Sequence, residues 1–387
     1  MKNNRLSIFI GMVSLVVITI ISTLIFSGLG NFVLTGSIKG YSLEELAFIK
    51  KIMSSKDLLL DNFYSEISEE DLYDGAMTGM LAATNDQYTE YLPAEANEAL
   101  EELTEGKYEG VGIVVSVLNG EKYPTILYIL PNSPAEKAEL KSNDKILSIN
   151  GTSCEDLELT KATELMKVKA GTDLELVIDR DGERIELKLK TEEITVASVY
   201  SKNMDGIGYI QITTFDEQTY NEFMTEYEKL RKENIKSLII DLRDNGGGVY
   251  DEVVKIAKEI IPKGLIVYTE DKNGKKEEQY SEGNGIDIPL AVLINEQSAS
   301  ASEILAGAVK DRECGTLIGK KTYGKGVVQG WFTIKDGTSI KLTIAKYFTP
   351  NGVCIDGVGI QPDIEVEEGN YSTDLQLKKA LEILKKQ

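Results

Sequence analysis

The chain has 387 residues, 42 % of them hydrophobic, which suffices for two or three domains with sizeable cores and excludes a disordered chain. Lys and Arg total 42 against 63 Asp and Glu; the net charge of −21 repels nucleic acid and argues against a nucleic-acid partner. Histidine is absent and the three cysteines, Cys154, Cys314 and Cys354, lie far apart, so no zinc pattern exists. The cysteines read as free thiols, with one Cys314–Cys354 disulfide as the alternative.

In chain order, residues 6–38 carry no charged side chain. Their apolar heart, LSIFIGMVSLVVITIISTLIF, is long enough to cross a bilayer as a helix at ~1.5 Å per residue. Lys2 and Arg5 precede it and favour an N-inside orientation. The reading is a cytoplasmic tip at 1–5 and a transmembrane signal anchor at 6–29. That makes a single-pass cell-membrane protein with its working domains outside the cytoplasm; a cleaved signal peptide is the alternative.

Residues 30–105 read as an N-terminal helical region. SLEELAFIKKIMSSKDLLLDNFY has helical spacing, and Ser68 with acidic residues after it is a helix start. These helices offer no reactive constellation; their expected work is packing or pairing with a second copy in a homodimer. From Tyr108 short β-type runs begin, with a helix entered at Pro134 and hairpin turns at Asn150-Gly151 and Asp181-Gly182. This order over 106–191, with the loop Gly110-Val111-Gly112-Ile113 leading into the second strand, resembles a PDZ domain. Such a loop turns backbone N–H groups toward a peptide carboxylate beside an open strand edge. Two features depart from the commoner PDZ pattern: Glu139 stands where Gly is usual, and KSNDKIL replaces a usual PGD turn.

Over 192–370 strands alternate with helices. IKSLIIDL is a nearly continuous apolar strand, as in a sheet covered on both faces. Strand-like PLAVLIN precedes the helical SEILAGAVKD, a hairpin turns at Asp336-Gly337, and residues 371–387 form a closing helix.

Three segments carry candidate chemistry. In NEQSASASEILAGAVKD the serines Ser298, Ser300 and Ser302 stand at a helix start, where unpaired N–H groups stabilise a developing oxyanion. Taken alone, they read more simply as caps and small packing residues. In TYGKGVVQ, Lys325 lies between two glycines, with Gln329 four residues on. A serine nucleophile in a chain without histidine needs another base, and a lysine whose pKa burial lowers can serve. In DLRDNGGGVYDE three glycines follow a buried strand; no Lys-Ser/Thr follows, so a P-loop does not fit, and Asp241 and Arg243 read as loop braces.

Together these segments, with KLTIAKYFTPNG…GIQPDIEV and EEDLYDGAMTGMLAATNDQYTEYLP (Gln87 where proline is common), resemble the carboxy-terminal processing, or tail-specific, protease family over residues 41–370. The resemblance implies an α/β fold: a ββα core similar to crotonase and Clp protease, with an inserted PDZ domain. It implies Ser300 as nucleophile, Lys325 as general base and Gln329 as its orienting partner. The oxyanion hole would be the N–H groups of Ala301 and a glycine of 246–248, Gly247. It implies no metal or organic cofactor, and protein or peptide C-terminal tails as substrates held by the PDZ domain. Ser298 and Ser302 become caps and packing residues. The rival reading is a PDZ-type peptide-binding adaptor on a protease-like scaffold that does not cleave.

Overall fold

A computed structural model describes residues 41–117, 121–283, 285–334, 336–370 and 373–386. The expected anchor at 6–29 lies outside the described residues; among the described residues no helix is long and apolar enough to cross a membrane. The chain divides into two compact units, 1–85 and 86–387.

In the first unit, α1 (Leu43–Asn62) and α2 (Glu69–Ala82) each begin with a capping box. The Ser42 hydroxyl accepts the Glu45 N–H while the Glu45 carboxylate accepts the Ser42 N–H, and Ser68 does the same with Asp71. Lys56 pairs with Glu69 at 3.1 Å. No residue of either helix is buried.

The second unit opens with β1 (Glu90–Leu92) and α3 (Ala94–Glu105), so the segment expected to be wholly helical contains a strand. The PDZ-like module follows as β2 (Lys107–Gly110), β3 (Ile113–Ser116), β4 (Thr125–Ile129), α4 (Pro134–Lys137), β5 (Lys145–Ile149), β6 (Thr152–Ser153), α5 (Leu159–Met166), β7 (Asp173–Arg180), β8 (Glu183–Lys190) and β9 (Glu192–Thr195). Its sheet runs β3-β4-β5-β7-β8, and β9 returns to pair with β2 at the module's base. Both expected hairpin turns form, with positive φ at Asn150, Gly151, Asp181 and Gly182, as primed turns require. Glu139 takes φ +57, the left-handed conformation a glycine adopts freely. The departing KSND turn is braced: buried Asp144 accepts two hydrogen bonds from Arg180, each 2.7 Å, and a third from the Lys141 N–H at 2.8 Å.

The remainder is a mixed α/β core: β10 (Val199–Met204), β11 (Ile207–Ile212), α6 (Thr219–Lys232), β12 (Ser237–Asp241), α7 (Tyr250–Ile260), β13 (Gly264–Asp271), β14 (Lys276–Ser281), β15 (Leu290–Ile294), α8 (Ala301–Asp311), β16 (Thr316–Gly319), β17 (Val327–Thr333), β18 (Ser339–Phe348), β19 (Ile364–Glu365), β20 (Gly369–Asn370), β21 (Thr373–Asp374) and α9 (Leu375–Leu384). One sheet runs β10-β11-β12-β15-β16-β19, parallel except at β10. Both of its faces are covered, which explains the unbroken apolar runs. Leu238 and Ile240 pack toward α6, α7 and α8, while Ile239 packs toward Ala380 and Leu384 of α9. A second sheet runs β1-β18-β13-β14, with β17 on β18. The β13–β14 hairpin has no counterpart in the sequence reading; KEEQYS of β14 is charged and mostly exposed, so it shows no alternating pattern.

Behind the glycine loop, Arg243 is forked between two carboxylates. Its nitrogens reach Asp241 at 2.6 and 2.9 Å and Asp374, the α9 N-cap, at 2.8 and 2.9 Å. The brace expected of Asp241 and Arg243 is present, and it also fastens the C-terminal helix. Arg243→Ala leaves the buried Asp241 carboxylate without its cation and should cost about 3 kcal/mol, measured by urea denaturation against the parent chain.

Candidate active site

Strand β15 delivers the chain to the loop 295–300 and straight into α8. Ser300 stands at the N-cap position with φ 53 and ψ −113, a conformation that costs a side-chain-bearing residue strain. Its hydroxyl faces the Glu303 N–H of its own first turn and the buried Tyr347 hydroxyl, and the first N–H of α8, on Ala301, has no partner among the described residues.

The other two serines are neither caps nor mere filler. The Ser298 hydroxyl donates to the Leu242 carbonyl (2.8 Å) and accepts the Asn295 N–H (3.0 Å); the Ser302 hydroxyl donates to the Asn245 carbonyl (2.9 Å). Both bolt the serine segment to the loop 242–248, and both are buried. Of the three hydroxyls, that of Ser300 is the one not bonded to the loop 242–248 among the described residues.

Gly247 lies against the Ser300 segment: a Cβ there would meet the Ser300 Cβ at 2.7 Å and the Ala301 N at 3.0 Å. The expected oxyanion donor, the Gly247 N–H, instead donates to Asn245 Oδ1 at 2.8 Å, because the Asn side chain turns back on its own loop. The next N–H, on Gly248, has no partner among the described residues, and Gly248 lines the same cavity as Ser300 and Ala301.

That cavity, about 460 Å³, brings Ser300, Ala301, Lys325 and Gln329 together. Its walls are chiefly apolar, with Phe215, Val249, Ile304, Val327 and Tyr347 among them. Leu100, Leu103 and Thr104 of α3 contribute as well, so the N-terminal region read as inert reaches the site. Burial, with help from the charge of Lys341, pulls the Lys325 pKa down from the usual lysine range; Glu90, Asp86 and Glu303 oppose this. The Lys325 amine lies 5.0 Å from the centroid of the Tyr88 ring. Gln329 makes only a long contact, 3.5 Å, to the Thr343 hydroxyl. Among the described residues no hydrogen bond joins Lys325 Nζ to Ser300 Oγ or to Gln329.

The two halves are held in register by Glu303. Fully buried, its carboxylate accepts the N–H groups of Ser300 (2.8 Å), Gly324 (2.8 Å) and Lys325 (2.9 Å) and the Thr322 hydroxyl (2.6 Å). The Tyr347 hydroxyl donates to the carbonyls of Ser300, at 3.1 Å, and of Lys325. Glu303 and Tyr347 stand in quoted segments but carry no role in the sequence reading; the partners of Tyr347 lie 22 and 47 residues away, and Glu303, apart from Ser300 three residues back, meets donors 19 to 22 residues on.

The expected carboxylate loop Gly110-Val111-Gly112-Ile113 lines a second cavity of about 160 Å³ with Met166 and Lys167. Gly112 has φ +82, and a Cβ there would meet the Ser133 Cβ at 2.2 Å, so only glycine fits. Cys154, Cys314 and Cys354 are free thiols, without the alternative disulfide.

Family models match at residues 206–366 (peptidase family S41), 125–180 (PDZ domain) and 35–96 (activating protease CtpB N-terminal domain). The carboxy-terminal processing protease CtpA of Bacillus subtilis is 36 % identical over 328 residues, 83 % of this chain and 70 % of that protein. A probable CtpA-like serine protease of Staphylococcus aureus is 33 % identical over 93 % of this chain and 73 % of its own length. The chain belongs to peptidase family S41. Like those relatives, this S41 chain is a carboxy-terminal processing peptidase. Among solved structures, a photosystem II D1 C-terminal processing protease is 28 % identical with a TM-score of 0.51, covering 86 % of this chain and 90 % of that one.

Glu303→Gln keeps the shape of the clamp but turns an amide NH2 toward N–H donors. It should lower kcat by roughly 10- to 100-fold, the worth of lost hydrogen bonds to a charged group, with little change in KM. Steady-state assays on a C-terminally labelled peptide would read this.

Proposed function

We propose that this S41 peptidase is a serine endopeptidase working by a Ser300–Lys325 dyad on the C-terminal regions of protein substrates. The observation that carries the reading is a Ser300 hydroxyl at a helix start, not spent on bracing the neighbouring loop and sharing one apolar cavity with a half-buried lysine in a chain without histidine.

Neutral Lys325 takes the proton as Ser300 Oγ attacks the scissile carbonyl, forming a tetrahedral intermediate. The oxyanion falls to the Ala301 N–H and to the glycine loop, through Gly248 in the present arrangement or through Gly247 if Asn245 lets go. Lys325 then returns the proton to the leaving amine, and water hydrolyses the acyl-enzyme by the same path. Gln329, once turned from Thr343, hydrogen-bonds the amine at any pH without holding it protonated. The apolar walls favour an apolar residue at the cut. The loop Gly110–Ile113 receives the tail's carboxylate while its extended chain adds to the module's strand edge. The reading includes an anchor at 6–29 with residues 30–387 outside the cytoplasm, favoured by the charge-free run behind Lys2 and Arg5. It also includes pairing of two chains through α1 and α2, whose apolar residues such as Phe48, Leu58 and Leu59 are exposed.

Ser300→Ala should reduce cleavage of an unfolded protein substrate by roughly 10^4-fold or more; retained cleavage would move the nucleophile elsewhere. Because the acting base is the neutral amine and its pKa is lowered, kcat/KM should rise with pH and level off below the ordinary lysine value of about 10.4. A profile flat from pH 5 to 10 would rule out a lysine base.

A further inference from the structure

The segment Asp86–Thr89, part of the motif NDQYTEYL, has no task in the mechanism above, yet it lies on the base. Lys325 Nζ stands 5.0 Å from the Tyr88 ring centroid, within cation–π range. Among the described residues the amine makes no hydrogen bond or ion pair. The seat is rigid. The Asp86 carboxylate accepts the Tyr88 N–H (3.3 Å) and the Thr89 hydroxyl (2.6 Å), and Thr89 Oγ1 accepts the Thr343 N–H of β18 at 3.1 Å. Thr343 also meets Gln329, so one residue holds the seat by its backbone and the amide of Gln329 by its hydroxyl.

A ring face attracts a cation and does little for a neutral amine. We propose that Tyr88 is a positioning residue: its ring is the seat of the protonated Lys325 between turnovers, and the amine reaches Ser300 only by leaving it. The proposal rests on the Ser300–Lys325 reading. The groups facing the amine from other elements are Lys341 on β18, Glu90 on β1, Glu303 on α8 and Asp86 on the seat's own segment. Lys341 is paired with Glu90 at 2.6 Å, Glu303 meets four donors and Asp86 accepts from Tyr88 and Thr89, while the Tyr88 ring stands within cation–π range of the amine.

The test is the pH dependence of two rates on the full chain: labelling of the nucleophile by a fluorophosphonate, and kcat/KM on a peptide. Losing the ring removes a contact made only by the ammonium. Tyr88→Leu should therefore move both midpoints down by about half a unit to one and a half units. Tyr88→Phe, which keeps the ring face, should leave the midpoint in place. Pentafluorophenylalanine in place of Tyr88 keeps the ring's shape, reverses its face charge and should also lower the midpoint; it serves if the leucine variant does not fold. A midpoint unmoved or raised in both ring replacements overturns the seat. Lys325→Ala separates the two claims. If it labels like the parent, the dyad itself is wrong; if it is unlabelled while the ring variants leave the midpoint unmoved, only the role of Tyr88 falls.

Discussion

The Glu303 carboxylate has no exposed surface, and an isolated buried charge of this kind is among the costliest groups a fold can carry. Four donors meet it, three of them backbone N–H groups from Ser300, Gly324 and Lys325. Because a backbone N–H has no rotamer to adjust, this arrangement fixes main chain against main chain. The segment after β15 and the loop before β17 must therefore lie at one separation. Burial pushes the Glu303 carboxyl up, and the donors pull it back down; they are what keep it a useful anchor.

The other constraints answer to this one. With Ser300 pinned from below by Glu303, the loop 242–248 must approach from the opposite side. The Ser298 and Ser302 hydroxyls and the Ala299 N–H draw it in through the carbonyls of Leu242 and Asn245. That approach is so close that Gly247 tolerates no side chain: a Cβ there would stand 2.7 Å from the Ser300 Cβ; on Gly248 a Cβ would stand 2.0 Å from the Phe215 carbonyl oxygen of another segment. Arg243 then holds the same loop from behind through Asp241 and Asp374. Two of the three glycines, Gly247 and Gly248, thus stand where neighbouring segments leave no room for a Cβ, while Gly246 faces open space.

The legible parts of this assembly are those that declare themselves locally. Alternation, turn pairs such as Asp181-Gly182, and the unbroken run IKSLIIDL expose sheet and hairpins directly. The spacing from Ser300 to Lys325 to Gln329 becomes meaningful once several motifs are read jointly, and one cavity does gather these three residues. What stayed hidden depends on distant partners. Tyr88 stands in a quoted motif, but its neighbour Lys325 is far along the chain. The strand Glu90–Leu92 is three residues long and exists because β18 offers it an edge. Leu100 and Leu103 look like ordinary helix residues until α3 is laid beside the cavity. The engagement of the Gly247 N–H by Asn245 is equally silent, since an Asn before a glycine run is compatible with a free or an occupied donor.

In the mechanism proposed above, Lys325 faces the opposed requirements of a lysine base. It must shed its proton to act, which favours an apolar cavity and the repulsive charge of Lys341. It must then hold the proton taken from serine until the leaving amine needs it, which favours some negative potential. A carboxylate in direct contact would satisfy the second need and defeat the first, locking the amine as ammonium. Here the nearby carboxylates are committed elsewhere: Glu90 to Lys341, Asp86 to Thr89, Glu303 to the backbone. Their charges act on the amine as field, and the ring face that stands 5.0 Å from it pulls on a cation only modestly. Burial lowers the Lys325 pKa from the ordinary lysine value while these carboxylates oppose the shift, so the surroundings act on both protonation states, in a chain that has no imidazole.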